Sequence, residues 1–347
     1  MPGLMSLPFR RATPSFRDCT VVITGASAGV GRAVALQLAA QGARLGLIAR
    51  EPQALAALQA EVEAAGGKAL CLALDVSDEE AVFAAARRCE SELGAIDLWI
   101  NNAMATVVGR VGETTPAEIR RVTEVTYLGY VHGTLAALRH MGPRNRGVIV
   151  QVGSALAYRG IPLQAAYCAA KHAIRGFTDS LRTELLHDGS GIALTAVHLP
   201  AINTTQFDWS RTHREMAPRP VAPVYAPEVA ARAVLKAAQH PQREIWLGVN
   251  TPLLILADML APALIDRYLA RNALSGQDTQ HPVRAGRRDN LFEPVPGVHR
   301  TAGSFGDEAR SSAFSYSSGV SRVVALALAC GLSAALGAAV ARRQRGD

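Results

Sequence analysis

TGASAGVG, residues 24–31, decides how this chain is read: it follows the apolar run Cys19-Thr20-Val21-Val22-Ile23 and leads into Arg32-Ala33-Val34-Ala35-Leu36. Three glycines between a strand and a helix have a physical use. The amino end of a helix presents N–H groups without intrahelical partners and the positive end of its dipole, so an anion lodged in the turn is held there. Gly25 supplies positive φ in a tight turn, Gly29 lets the backbone approach the anion, and Gly31 permits close packing of helix on strand. With a strand before it and a helix behind, GxxxGxG reads as a cradle for the diphosphate of a dinucleotide, walled by Thr24, Ser27, Ala28 and Val30. An ordinary glycine-rich turn is the bland alternative.

Working outward, short β-branched runs alternate with longer Ala- and Leu-rich segments of helical period. Strands are expected at 20–24, 44–49, 68–74, 97–101, 147–153 and 191–198, and helices at 30–41, 53–65, 79–93, 117–141 and 165–188. Strands such as Leu45-Gly46-Leu47-Ile48-Ala49 are apolar throughout, as in a parallel sheet buried on both faces. The pattern predicts a doubly wound α/β domain over residues 18–250, preceded by an arm, 1–17, that lacks an apolar stretch of signal-peptide length.

Composition sets the remaining bounds. The 347 residues are 49% hydrophobic, ample for a large core. The net charge of +7 is spread along the chain rather than gathered in a stripe, which argues against nucleic acid as a partner. Five scattered cysteines without a CxxC pair argue against a disulfide framework or a metal site and for a reducing, cytoplasmic setting. Lysine is scarce, occurring only at 68, 171 and 236.

Arg50 closes the second strand, where a carboxylate would hold the free 2′-hydroxyl of NAD; an arginine instead meets the 2′-phosphate of NADP with a charge-assisted fork. NADP(H) is the expected cofactor and NAD(H) the second choice, with Glu51 next door working against the preference. Asp75-Val76, at the end of the third strand, is placed for the adenine edge, or Asp75 caps the helix near Glu79.

The second constellation is Tyr167-Cys168-Ala169-Ala170-Lys171, with Ser154 thirteen residues before the tyrosine. Positions i and i+4 share a helix face, so Tyr167 and Lys171 point into one space, and Ser154 at a strand end faces them. Hydride transfer to a carbonyl needs a proton donor at the developing alkoxide. A phenol of pKa about 10 serves poorly at neutral pH unless a nearby cation favours its phenolate. Lys171 is the expected cation and Ser154 the donor to the substrate oxygen.

Together these residues resemble the short-chain dehydrogenase/reductase family. The likeness runs from about residue 18 to 250 and rests on Thr24-Gly25-(x3)-Gly29-x-Gly31, Asp75, Asn101-Asn102-Ala103, Ser154, Tyr167-(x3)-Lys171 and Pro200-Ala201-Ile202-Asn203-Thr204. It implies a seven-stranded Rossmann sheet, an alcohol or carbonyl oxidoreductase using NAD(P)(H) with Tyr167 as acid/base, and homodimers or homotetramers packed through helices 117–141 and 165–188. It also places Asn102, Ala103, Pro200, Ile202 and Thr204 beside the cofactor. Three positions depart from the family pattern. Met104 stands where a glycine is usual, Ala201 replaces a glycine, and Thr126 takes the place of a catalytic asparagine that holds a water joining the lysine to solvent. Thr126 is expected to keep that water through its carbonyl, with a slower proton relay. The rival reading is a weakly active relative that binds dinucleotide as a sensor or scaffold.

Past residue 200 the regularity loosens. A lid around 202–224 carries Phe207, Trp209 and Met216, which points to an apolar carbonyl or alcohol substrate, and a helix at 227–239 and a strand at 244–247 follow. Leu253–Ala270, interrupted by Asp258, Pro262 and Asp266, reads as a C-terminal apolar helix within 251–274, a substrate-pocket or surface helix rather than a membrane span, and 275–318 as an extended linker relieved only by Asn290-Leu291-Phe292-Glu293-Pro294. In the last part, 319–347, the uncharged stretch 323–341 would span about 28 Å as a helix, near the thickness of a hydrocarbon core. It reads as a membrane anchor with a basic tail, or as a buried or oligomer-forming helix. The arginines beyond residue 341 favour the cytoplasmic side, yet a single span puts them opposite a cofactor domain that needs that side too, a conflict that interfacial embedding would ease.

Overall fold

The computed structural model describes residues 15–319; the N-terminal arm up to residue 14 and the apolar stretch 323–341 lie outside them. Eight strands form the central sheet: β1 (Thr20–Thr24), β2 (Arg44–Ala49), β3 (Lys68–Ala73), β4 (Ile96–Asn101), β5 (Gly147–Ser154), β6 (Ile192–Leu199), β7 (Glu244–Leu247) and β8 (Ser315–Ser317), in the order β8-β7-β6-β5-β4-β1-β2-β3. Seven run parallel as expected. The eighth, β8, comes from the segment read as a linker and pairs antiparallel with β7 at the edge.

Alternation along the strands sorts side chains into two cores. Val21, Ile23, Leu98 and Ile100 join one cluster with α1 (Gly29–Ala39), α2 (Pro52–Ala64) and α7 (Pro227–Gln239). Val22 and Trp99, the residues between them, join the other with α3 (Glu79–Leu93), α5 (Gly129–Met141) and α6 (Ala165–His187). A period of two thus places successive side chains on opposite faces of the sheet, and both faces carry helices.

The helix expected at 117–141 is broken. Thr115 and Glu118 form a capping box at the start of α4 (Pro116–Thr123), a π-helical turn occupies Glu124–Leu128, and α5 follows. The bulge falls on Thr126, whose hydroxyl accepts from the Ala105 amide (2.9 Å) and donates to the Ala105 carbonyl (2.8 Å). Such bulges recur at functional sites. Likewise the apolar segment 253–270 is two helices, α8 (Asn250–Leu260) and α9 (Pro262–Asn272), because Pro262 cannot continue the first.

Residues 278–318 are not a free linker. Asp278–Pro282 pairs with Met216–Pro218, Ala309–Arg310 with Val224–Tyr225, and Ser315–Ser317 with β7. Between the first two pairings the chain crosses the carboxyl end of the sheet as a strap, and Leu291 within it is wholly buried. Low hydrophobicity hides this: the strap is held by scattered polar contacts, with Arg50 and Arg121 reaching its carbonyls and its own Arg287 reaching those of Phe207, Asp208 and Ser210, a bonding that leaves no periodic signature. Among the described residues no helix is long and apolar enough to cross a membrane.

Candidate active site

One cavity of about 680 Å³ lies along the carboxyl ends of the strands. At one end stands the glycine turn. Gly25 and Gly29 take φ +66° and +55°, and a Cβ on Gly31 would sit 2.2 Å from the Gly25 carbonyl oxygen, so no other residue fits that position without moving backbone. The turn is braced from behind. Asn102 donates through Nδ2 to the carbonyls of Thr24 and Gly25 (both 3.1 Å), and the Thr24 hydroxyl accepts from the amides of Asn102 and Ala103 (2.9 and 3.1 Å). Ser27, Ala28, Gly29 and Val30 face the cavity; Thr24 and Gly31 do not line it, and their part is to shape the turn. Since α1 begins at Gly29, its first amides lack intrahelical acceptors, and that of Gly29 holds the Arg300 carbonyl oxygen (3.2 Å), an acceptor that a diphosphate oxygen could replace. The turn therefore fits such a group.

Arg50, Asp75, Val76, Asn102, Ala103, Pro200, Ile202 and Thr204 also line the cavity, as expected. Arg50 is differently engaged, however: its guanidinium donates to the carbonyls of Asn290, Leu291 (3.4 Å) and Phe292 (2.9 Å). Asp75 accepts from the Ser77 amide and hydroxyl (2.9 and 2.8 Å) and pairs with Arg121. Burial works to raise its carboxyl, but the hydrogen bonds from Arg121 and Ser77 outweigh it and hold the group below its usual range. The cap of α3 is not Asp75 but Asp78, which accepts from the Ala81 amide (3.0 Å). Glu51 caps α2, accepting from the Gln53 amide (3.1 Å).

At the other end of the cavity Ser154, from β5, meets Tyr167 and Lys171 from α6. The Lys171 ammonium donates to the Val152 carbonyl (2.8 Å) and to the Tyr130 hydroxyl (3.0 Å), and Tyr130 in turn donates to Val152 (2.8 Å). Lys171 is almost fully enclosed, and burial lowers its pKa to about 7. The Tyr167 phenol moves the other way: burial raises it, and a hydrogen bond with Ser154 offsets only part. The expected depression by Lys171 is not seen: the ammonium lies 5.6 Å from the Tyr167 ring centre and is bonded to Val152 and Tyr130. The phenol is thus protonated in the cofactor-free cavity, the state that can donate to an alkoxide, but the lowering that would make it a better acid is not seen there. Thr126 is fully buried against Ala105 and does not line the cavity, so its hydroxyl takes no part at Lys171.

Phe207, Trp209 and Met104 line the cavity, whereas Met216 faces outward, 39% exposed, in the strand pair with Asp278–Pro282. The apolar segment read as a substrate-pocket or surface helix reaches the cavity through Leu253, Leu254 and Leu269 of α8 and α9; the second contributor, Asn290, Pro294, Val295 and His299 from the strap, was not foreseen. The only signal for the second was the apolar patch at 290–294. No group of residues suited to a metal ion occurs among the described residues, and the four cysteines there are unpaired.

A family model for short chain dehydrogenase matches residues 19–215. The chain is similar to the uncharacterized oxidoreductase YxnA of Bacillus subtilis (strain 168), at 31% identity over 82% of this chain and 80% of the relative. It is similar also to the dehydrogenase/reductase SDR family member 7B of Bos taurus, 31% identical over 80% of this chain and 90% of the relative. The ketoacyl reductase HetN of Nostoc sp. (strain PCC 7120) is 30% identical over 72% of this chain and 87% of its own length.

Proposed function

This chain belongs to the short-chain dehydrogenase family, and from that premise we propose that it interconverts an apolar secondary alcohol and the corresponding ketone or aldehyde. One observation carries the reading: a single cavity has the glycine turn at one end and Ser154, Tyr167 and Lys171 at the other. A bound nicotinamide cofactor supplies or accepts the hydride. In the reducing direction Ser154 donates a hydrogen bond to the carbonyl oxygen, and Tyr167 releases the proton that the oxygen takes up. Lys171, fixed by the Val152 carbonyl and the Tyr130 hydroxyl, closes the phenol end of the site as its cation. The turn Ser27–Gly31 binds the diphosphate, with Asp75 and Val76 at the adenine.

NADP(H) is favoured because Arg50 stands where the second strand ends and Glu51 is committed to capping α2. Phe207, Trp209, Leu253, Leu254 and Leu269 surround the substrate end, which suits a long acyl, steroid or retinoid carbonyl. The ketoacyl reductase named among the relatives supports an acyl derivative within that class. Ile119, Leu128, Leu135 and Leu186, exposed on and around α4 to α6, suit a second copy of the chain. NADPH and NADH consumption against carbonyls of increasing chain length tests the proposal. Turnover that rises with chain length and disappears in Tyr167→Phe is expected; equal turnover in that variant removes the assigned acid. The rival sensor reading, favoured by Thr126 at the asparagine position, predicts dinucleotide binding without turnover of any carbonyl.

A further inference from the structure

The strap takes for itself the polar groups that a dinucleotide would use. Besides the three carbonyls on Arg50, its Leu291 carbonyl accepts from Arg121 Nε (3.0 Å). His299 Nδ1 lies 3.0 Å from the Ser27 hydroxyl, and the Arg300 carbonyl accepts the Gly29 amide at 3.2 Å. Thr301 accepts from Arg32 (2.7 Å), and the amides of Gly303 and Phe305 donate to the Asn203 carbonyl (3.2 Å) and side-chain oxygen (3.0 Å). Ser27, Gly29 and Arg50 are three of the residues assigned above to the diphosphate and the ribose.

The strap nevertheless does not fill the site. Its Asn290, Pro294, Val295 and His299 line the same cavity as Ser27 to Val30 and Arg50, and His299 stands against Ser27 at 3.0 Å. Both of its ends are tied down, by the pairing of Asp278–Pro282 with Met216–Pro218 and that of Ala309–Arg310 with Val224–Tyr225. We infer that residues 290–305 are a binding element of the dinucleotide site: they form its outer wall, close over the adenosine diphosphate half, and must lift between their two anchored ends for the cofactor to enter or leave. The inference rests on the dinucleotide reading of the cavity. On binding, the diphosphate displaces the Arg300 carbonyl from the Gly29 amide, and His299 is left facing an anion beside Ser27. Cofactor held this way leaves slowly, because several contacts distant in sequence have to part together.

Two latches allow a test from either end. Leu291→Asp places a charge at a wholly buried anchor, and Gly303→Val puts a Cβ where the Thr204 carbonyl oxygen is 2.4 Å away. NADPH is the probe. Hydrogen exchange on the full-length wild type should show the amides of 290–305 protected when NADPH is added, and stopped-flow displacement should show dissociation at least about tenfold faster in each variant that unfolds cooperatively. No protection of the strap in wild type overturns the inference. So does an unchanged dissociation rate in variants whose strap exchanges faster. Faster association and tighter binding in the variants, with dissociation unchanged, would instead make the strap a plug. NADPH and NADH binding by none of the proteins, unlatched variants included, would be the distinct failure of the dinucleotide reading itself.

Discussion

The two ends of the cavity are built in opposite ways. At the catalytic end, Ser154, Tyr167 and Lys171 come from one strand and the next long helix, within eighteen positions of each other, and their neighbours Tyr130 and Val152 lie in regular elements. At the nucleotide end the inner wall is equally local, but the outer wall arrives from residues more than 200 positions away in sequence, through contacts such as Arg50 to Phe292 and Gly29 to Arg300. The first end is set by the fold itself. The second depends on a loop returning over it, so the catalytic end resists change and the nucleotide end is adjustable.

The largest effect that could break this contrast belongs to the catalytic end. Tyr167→Phe should lower kcat by about 10²- to 10⁴-fold while leaving NADPH binding within the range of wild type, since only proton transfer is lost. Loss of binding in that variant would mean that the two ends are not separable. Next comes the turn between them. Gly31→Val forces backbone apart at a 2.2 Å contact and should abolish dinucleotide binding, with a stability cost of about 1–3 kcal/mol read from denaturant unfolding.

Lys171 sharpens the comparison through pH. The unfolded chain keeps this proton up to about pH 10.4, whereas the folded, cofactor-free chain releases it near pH 7. Between those values the unfolded state binds more protons, so the lysine's contribution makes stability rise with pH across that window, and the penalty for burying the cation is greatest below it. Lys171→Met should flatten this part of the pH–stability curve. A curve identical to wild type would show that the ammonium is not buried at a fixed site.

Tyr130→Phe is expected to be milder. It removes the 3.0 Å acceptor of the Lys171 ammonium, moves that group's pKa further down, and shifts the alkaline limb of kcat/KM to lower pH, with a rate loss of about tenfold or less. A uniform loss without a shift in the profile would reduce Tyr130 to packing. Smallest is Arg50→Ala, which should narrow the preference for NADPH over NADH by about 0.5–1 kcal/mol, roughly two- to fivefold, if Arg50 turns from the strap to a 2′-phosphate. An unchanged ratio would leave Arg50 as a clasp for the strap alone.

How much was legible in the sequence follows the same division. Gly25, Gly29 and Gly31 announce their turn because only glycine meets the φ values and close approaches found there. The strands announce themselves by continuous apolar runs, and Tyr167 and Lys171 by their spacing on a helix. Thr126 was singled out for a proton relay, but its side-chain bonds to Ala105 depend on a π-helical bulge that no local pattern foretold. The lysine's partner Tyr130 belongs to no motif in the sequence, and only the fold brings its hydroxyl to the ammonium. The strap was least legible of all, since Gly-, Pro- and Arg-rich segments read as linkers whenever their partners are carbonyl groups rather than side chains.

The central claim is that one cavity carries a dinucleotide from the glycine turn to the wall formed by Tyr167 and Lys171. A crystal structure of the full-length protein grown with saturating NADP⁺ tests it most directly. Density should run the length of this cavity, with the diphosphate at Ser27–Gly31, the nicotinamide beside Tyr167 and Lys171, and residues 290–305 closed over the adenosine end. Dinucleotide bound elsewhere on the molecule, or a turn still joined to Arg300 with the cavity empty of ligand, would contradict the claim.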